Sequence, residues 1–155
     1  MDIFEIVDEN HPILKEVMPI FNFGEPPIDP NFLCENLFRI MKEQNAVGLA
    51  ANQVGLSYRV FVMEVDGMQT ACFNPEIISV SSEINRDMEG CVSFPDLWLN
   101  VKRPISIETK FQDKNGFFVY ETFANFAARV YSHETDHLNG IRFIDLVGSL
   151  SLGSA

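Results

Sequence analysis

The chain is short of basic residues, of cysteines and of long apolar runs, and each shortage excludes a class of protein. Its 11 lysines and arginines stand against 22 aspartates and glutamates, which gives a net charge of −11. Such a field disfavours direct binding of nucleic acid or of an anionic membrane surface. The three cysteines show no disulfide-scaffold spacing, and no apolar run approaches the ~20 residues of a membrane span. We therefore expect a cytoplasmic protein in a reducing compartment.

The apolar content, in contrast, is sufficient for a folded domain. Of the 155 residues, 46% are hydrophobic, and a chain of this length can bury a sizeable core. No internal repeat or linker divides it. Residues 1–5 lack both the basic and apolar regions of a secretory signal and the arginine-rich character of a transit peptide. We expect one domain over residues 1–155.

A metal-binding pattern, HETDH, occupies residues 133–137. On a helix, its two histidines project from one face and can hold one cation, with Glu134 beside the first of them. Phe126 and Val130 continue the same stripe toward the N-terminus. Gly140 is suited to ending the helix. Taken alone, the pattern also fits ordinary core or surface histidines.

A third metal ligand has to come from upstream. Phe143 stands where one familiar zinc arrangement has a third histidine, and the sequence ends before a glutamate some twenty residues downstream could follow. Cys91 is the strongest upstream candidate, because it lies in EGCVS at residues 89–93, beside a glycine that permits close backbone approach and among polar residues. The other upstream candidates are better explained as buried apolar thiols or a loop residue: Cys34, Cys72 and His11.

Hydrophobic periodicity predicts hairpins followed by one helix. Asp29 and Pro30 begin an earlier helix, and residues at helical spacing continue it to Gln44. Strand order and the HExxH helix together suggest an α+β fold, with antiparallel β-sheets around a central helix that carries the metal motif. Alternation of apolar and polar residues predicts five strands: 58–65, 68–73, 76–81, 105–111 and 117–122.

Breaks and caps are predicted from turn residues. Asn74-Pro75 should separate two strands, and residues 82–87 should form a polar loop. Phe94-Pro95 should stop any strand begun at the cysteine motif. Thr122 is suited to capping the metal-site helix. Trp98 either covers the entrance of the site or simply packs against its neighbours, and we favour packing.

Three motifs together resemble those of the peptide deformylase family, which carries GxGxAAxQ, then EGCxS, then HExDH. Here they read AVGLAANQ at residues 46–53, EGCVS at residues 89–93 and HETDH at residues 133–137. The similarity extends from about His11 to about Asp145. It implies a metal-dependent hydrolase that removes the N-formyl group from N-formylmethionyl peptides and releases formate. The implied fold agrees with the α+β prediction.

The resemblance also implies roles for individual residues. Glu134 would act as general base. The Gln53 amide and the backbone N–H of Val92 would stabilise charge on the formyl oxygen. Three protein ligands leave one coordination position for water, as a catalytic site requires. These ligands would be Cys91, His133 and His137.

The expected substrate contacts are less specific. Phe126 and Val130 either line a pocket for the methionine side chain or pack in the core. Asp136 and Arg103 match family positions, and they either orient the ligands or form a solvated salt bridge. Backbone contacts with the peptide are expected at three residues: Val47, Gly48 and Gly90.

Cofactor and partners follow from the same resemblance. It implies Fe2+ as the native metal, with Zn2+ or Ni2+ as replacements, since thiolate and imidazole accept all three. Residues 146–155 are uncharged, unlike the basic C-terminal helix with which many bacterial members contact the ribosome. We therefore expect a monomer with at most transient ribosome proximity, resembling the short deformylases of bacteriophages. Three departures from the family pattern remove no ligand: Ala46, Ser132 and Thr135.

Two other functions remain compatible with these residues. A non-catalytic module could keep the fold and the metal only to capture formylated or acidic peptides. Retention of Glu134 and Gln53 argues against it, because binding needs neither. A hydrolase acting on another N-acyl group or on internal peptide bonds is the second alternative.

Overall fold

The structure, a computed structural model, describes residues 4–147. The sequence predictions for residues 1–3 and for the tail beyond residue 147 lie outside this part of the chain. Two short 3-10 helices occur at Pro12–Lys15 and Ala51–Val54. The longer elements within the described range are α1 Pro30–Glu43, β1 Gly48–Ala50, β2 Val60–Val65, β3 Met68–Val80, β4 Ile84–Cys91, β5 Phe94–Pro104, β6 Ser106–Gln112, β7 Phe118–Ala124 and α2 Asn125–Leu138.

Helix α1 begins where the sequence predicts. The Asp29 carboxylate accepts a hydrogen bond from the backbone N–H of Asn31 at 3.1 Å, and Pro30 occupies the first helical position, where its missing N–H costs nothing. The helix ends at Glu43, with Gln44 as its C-cap. No helix among residues 4–147 is long and apolar enough to cross a membrane. The face that α1 buries consists of Leu33, Cys34, Leu37, Ile40 and Met41.

The strands form two antiparallel sheets. One has five strands in the order β1-β2-β3-β6-β7, and the other contains β4 and β5. Asp66 and Gly67 make the turn between β2 and β3 with positive φ angles of 54° and 76°, as the hairpin prediction requires. Helix α2 packs Tyr131 against Phe61 of β2 and Phe123 of β7, with ring centroids 5.1 and 5.4 Å apart. The predicted α+β architecture around this helix is confirmed.

Strand β3 does not break at Asn74-Pro75, so that prediction is wrong. The strand runs from Met68 to Val80, and its register with β6 shifts between Phe73 and Glu76. Asn74 adopts a φ of 52°, and its side chain bonds both the N–H and the carbonyl of Phe21. A bulge therefore accommodates the proline, and the two predicted strands are one.

The predicted polar loop at residues 82–87 is also wrong. Strand β4 begins at Ile84 and pairs with β5 from Ile84↔Pro104 to Cys91↔Phe94. Phe94-Pro95 begins β5 instead of only ending the preceding strand. The first five residues of β4 are exposed, so the hairpin has no apolar alternation that would distinguish it from a loop.

Helix α2 begins later than predicted. Thr122 belongs to β7, and Ala124 occupies the N-cap position without a side-chain cap. The C-terminal prediction is confirmed, because the helix ends at Leu138 and Gly140 follows with a φ of 72°. A Cβ on this glycine would lie 2.6 Å from the carbonyl oxygen of Lys15, so the close approach also requires glycine.

Candidate active site

The two histidines and Cys91 meet between helix α2 and strand β4. His133 and His137 are both buried on one face of α2, with ring centroids 5.0 Å apart. Cys91 is the last residue of β4, and its Sγ lies 3.3 Å from Nε2 of His137. The ligand atoms of all three residues lie within 4.8 Å of one another. The structure therefore brings together residues that are 42 to 46 positions apart in the sequence.

This donor set fits a divalent transition metal. Nδ1 of His133 is bonded to Oε1 of Glu89 at 2.8 Å, which leaves the other ring nitrogen for a cation. Burial and the neighbouring His133 hold the pKa of His137 well below its usual value, so that its ring is neutral as a ligand must be. Burial lowers the pKa of His133, but bonds to Cys91 and Glu89 outweigh this and raise it to about 10. A cation at the three donors would displace that proton.

Glu89 is the centre of a buried ionic network behind the histidines. Its carboxylate accepts two hydrogen bonds from Arg103, at 2.9 and 3.0 Å, and one from Arg129 at 2.6 Å. Burial alone would raise the pKa of Glu89, but bonds from His133 and Arg103 bring it to about 2. The carboxylate is therefore ionised at neutral pH and fixes the His133 ring.

Arg103 connects this network to Asp136. Its Nη1 lies 2.6 Å from Oδ2 of Asp136, and its side chain is only 6% exposed. A side chain this deeply buried does not form a solvated salt bridge, which was one of the two alternatives for Arg103. Sequence reasoning missed Arg129, although its position four residues before His133 on one helix face was a usable signal.

The Glu134 carboxylate lies against Gly48 of β1. The residue is 5% exposed, and burial raises its pKa to about 7, against a smaller lowering by His133. Its Oε1 has no hydrogen-bond partner among the described residues. A carboxylate with a pKa near neutrality and an unused oxygen is suited to accepting and returning a proton.

Gln53 is held in a fixed orientation beside Cys91. Its Oε1 accepts from the N–H of Ala50 at 2.9 Å, so its amide nitrogen must face the other way. That nitrogen donates to Oγ of Ser93 at 3.0 Å and contacts Sγ of Cys91 at 3.4 Å. The amide therefore presents N–H groups at the edge of the metal-ligand cluster.

A cleft of about 350 Å³ opens beside these groups. Phe126 is half exposed at its wall, and Val130 is buried deeper, one turn before Glu134. Trp98 is 64% exposed, and its ring packs over Gly90 in the lining of the cleft. The predicted site residues that line the cleft are Val47, Gly48, Gln53, Gly90, Cys91, Val92, Phe126, Val130, His133 and Glu134.

The remaining metal-ligand candidates lie elsewhere. Cys34 and Cys72 are 5% and 0% exposed among apolar neighbours, as predicted. His11 accepts a hydrogen bond from the N–H of Ile13 at 3.1 Å and caps a short 3-10 helix. None of the three belongs to the cluster around Cys91.

Comparison with known proteins agrees with the resemblance seen in the three motifs and extends it over most of the chain. A family model described as polypeptide deformylase matches residues 3–151. The peptide deformylase of Thermotoga maritima is 39% identical over 137 residues, which cover 88% of this chain and 82% of that protein. The peptide deformylase of Carboxydothermus hydrogenoformans is 38% identical over 148 residues, which cover 94% and 93% of the two chains.

Solved structures share the fold as well. The crystal structure of the Thermotoga maritima peptide deformylase superposes with a TM-score of 0.86 at 37% identity, covering 94% of this chain and 98% of that one. The fold and this level of sequence identity point to the same family as the three motifs, which meet at one cleft. The chain belongs to the polypeptide deformylase family, the metal-dependent hydrolases that remove the formyl group from the N-terminus of newly made proteins.

Proposed function

We propose that Cys91, His133 and His137 hold one divalent cation at the base of the cleft, with Fe2+ as the ion in the cell. The convergence of these three donors within 4.8 Å is the observation that carries the proposal. Zn2+ and Ni2+ suit the same thiolate and imidazole ligands. When bound, such an ion polarises the formyl carbonyl and makes water more acidic.

Glu134 moves the proton in this proposal. Its carboxylate takes a proton from the attacking water as the water oxygen forms a bond to the formyl carbon. The same carboxyl then delivers the proton to the amine as the C–N bond breaks, which yields formate and a free N-terminal methionine. Its burial at 5% exposure and its pKa of about 7 support both steps, because the two protonation states are then close in free energy.

Gln53 and Val92 stabilise the charge that develops on the formyl oxygen. The Gln53 amide nitrogen already faces Cys91 at 3.4 Å, and Val92 follows Cys91 directly and lines the cleft. Both offer N–H donors that carry no formal charge and therefore do not repel the cation. The bond from Ala50 to the Gln53 oxygen keeps this donor in place.

The peptide is held along the outer edge of β1. Strand β1 is an edge strand of the five-stranded sheet and, among the described strands, pairs only with β2. Val47 and Gly48, at its start, line the cleft. An extended peptide can pair with such an edge through main-chain hydrogen bonds. Gly90 borders the opposite wall. A crystal structure of the Acinetobacter baumannii peptide deformylase with bound Met-Ala-Ser, similar at a TM-score of 0.86 and 30% identity over 92% of this chain and 97% of that one, supports a peptide ligand.

The methionine side chain enters between Phe126 and Val130. Both residues line the cleft and lie one to two turns before His133 on α2. Their apolar surfaces suit an unbranched thioether. This assignment places the formyl group toward the metal ligands and the rest of the peptide toward the cleft mouth.

The wider setting of the protein is proposed from the same family membership. We propose one catalytic domain over residues 1–155, acting as a monomer in the cytoplasm and meeting the ribosome only transiently. The family match over residues 3–151 supports the single domain, and the net charge of −11 disfavours stable contact with ribosomal RNA. The charge also argues against nucleic acid as a direct partner.

The test is formate release from formyl-Met-Ala-Ser by protein loaded anaerobically with Fe2+. Glu134→Gln should lower kcat by about 10²–10⁴-fold, the range for loss of a general base, while metal content stays at one ion per chain. Glu121→Gln makes the same chemical change at an exposed position of β7 and should behave as the original protein. Unchanged turnover in Glu134→Gln would refute the proposed base. Acetylated and unblocked peptides should not react.

A further inference from the structure

We infer that Arg129 is a positioning residue that holds the hairpin carrying Cys91 against the helix carrying both histidines. Through Glu89 it also fixes the ring of His133. The inference rests on the proposed metal site and adds a residue to which the sequence motifs assign no role. It concerns the retention and geometry of the cation, since Arg129 does not itself contact the three donors.

The contacts of Arg129 span three elements. The residue lies on α2 and is 4% exposed. Its Nη1 donates to Oε2 of Glu89 at 2.6 Å and to the carbonyl of Val101 at 2.9 Å. Its Nη2 donates to the carbonyl of Asn85 at 3.1 Å and to Oδ1 of the same residue at 3.0 Å. One guanidinium therefore binds both strands of the hairpin from the helix.

The hairpin depends on such contacts for its position. Strands β4 and β5 pair with each other, and the described strands of the five-stranded sheet do not extend that pairing. No backbone ladder therefore fixes the distance between Cys91 and α2. Side-chain bonds join the two instead, and Arg129 makes most of them, at Asn85 and Glu89 on β4 and at Val101 on β5.

Arg129 and His133 share the Glu89 carboxylate. They are four residues apart on one face of α2, and Oε2 of Glu89 accepts from the arginine while Oε1 bonds Nδ1 of the histidine. A carboxylate held at both oxygens has little freedom to rotate. It therefore holds the His133 ring in one orientation, which is how residues behind a metal ligand tune the site.

Arg103 connects the hairpin to the helix at a different point from Arg129. It also binds Glu89, but it lies on β5, so this pair stays within the hairpin. Its side chain reaches the helix at Asp136, on the far side of His133 from Arg129 in the sequence. A buried ion pair is weak evidence for stability, because desolvation offsets the attraction. Positioning of the hairpin therefore explains the burial of Arg129 better than a contribution to stability does.

The experiment compares Arg129→Met with Arg39→Met in the full chain. Arg39 forms an exposed ion pair with Glu43 on α1 and is not among the residues that line the cleft, so its variant makes the same side-chain change outside the site. Co2+-loaded proteins report the thiolate-to-metal charge-transfer band and the d–d bands, and Zn2+ release is timed with a chromogenic chelator. Arg129→Met should release Zn2+ about 10- to 100-fold faster and alter the Co2+ spectrum. Arg39→Met should change neither.

Two further variants keep the test decisive. Arg129→Lys retains the charge but cannot reach Glu89, Val101 and Asn85 together, so its release rate should fall between those of Arg129→Met and the original. Asn85→Ala removes a single bond from the surface side and should accelerate release by about 2- to 10-fold, within the usual energy of one hydrogen bond. If Arg129→Met does not fold, the Zn2+ release rate of Asn85→Ala tests the inference instead.

The outcomes separate this inference from the proposed metal site. A purely structural role would lower thermal stability while the folded variants keep the original release rate and Co2+ spectrum, and that result would overturn the inference. Absence of the thiolate band in the unmodified Co2+ protein would instead refute Cys91 as a ligand. A normal band in the unmodified protein, with faster Zn2+ release in the Arg129 and Asn85 variants, supports the inference.

Discussion

Glu134 packs directly against the backbone of Gly48. A Cβ on this glycine would lie 2.6 Å from Oε2 of Glu134 and 3.0 Å from its Cδ and Cγ. Those distances are too short for any side chain unless the carboxylate moves. The glycine of the first motif therefore sets the position of the proposed base in the third motif, across 86 residues of sequence.

Gly48→Ala should reduce activity much more than stability. Displacing the Glu134 carboxylate by even about 1 Å should lower kcat about 10²-fold, because proton transfer depends on the geometry of the donor and acceptor. Formate release and metal content measure the effect. Gly67→Ala is the control, since its Cβ would meet nothing within 4 Å but would sit at a φ of 76°. That variant should lose stability and keep its activity, and equal activity loss in both would contradict the explanation.

Asn52→Ala should destabilise the end of α2. Asn52 is fully buried, and its Nδ2 donates to the carbonyl of His137 at 2.7 Å. Losing this buried bond should lower the free energy of unfolding by about 1–3 kcal/mol, as measured by urea denaturation. Asn36→Ala removes a bond of the same type, to the carbonyl of Phe32 at 2.8 Å on an exposed helix face. Its effect should stay within about 0.5 kcal/mol.

The three thiols should react with iodoacetamide at very different rates. Burial raises the pKa of Cys34 to about 11 and that of Cys72 well above its usual value. At pH 8 a thiol with a pKa of about 11 is ionised in about one molecule per thousand, and raising the pH toward 11 should increase its labelling. Cys91 is only half buried and should react first with iodoacetamide. Peptide mapping of the labelled protein measures the order of reaction. Added Zn2+ should slow labelling at Cys91 and leave the other two unchanged.

Peptide binding should change the intrinsic fluorescence of the protein. Trp98 is the only tryptophan, is 64% exposed and lines the cleft mouth over Gly90. A bound peptide would shield its ring from water and shift the emission to shorter wavelength. Titration with Met-Ala-Ser measures the shift, and Trp98→Phe should lose the signal while calorimetry still detects binding. If the emission spectrum at saturating peptide is the same as without peptide, the peptide does not bind beside Trp98.

The elements with strong local signals follow from the sequence. Asp29 and Pro30 begin α1 as predicted, Asp66 and Gly67 make the predicted turn, and Gly140 follows the end of α2. In each case the decisive interaction is within a few residues, such as the 3.1 Å bond from Asn31 to the Asp29 carboxylate. Three predicted strands occur with shifts of one or two residues at their ends, namely β2, β6 and β7.

The failures occur where distant contacts override local preference. Asn74 is a turn residue by sequence, yet its side chain satisfies the backbone of Phe21, 53 residues away, and the strand continues. Strand β4 has mostly exposed residues, so only its pairing with β5 identifies it. Thr122 could cap a helix, but the sheet extends two residues farther and places it in β7.

By itself, the sequence determined the chemistry of the site, because donor types and their spacing on one helix are local properties of the chain. It supplied Cys91, His133, His137 and Glu134 as candidates. Only the tertiary structure decided which of these groups meet and what holds them. The packing of a separate hairpin on α2, with Arg129 between them, depends on contacts 28 to 44 residues apart, and no local pattern encodes such distances.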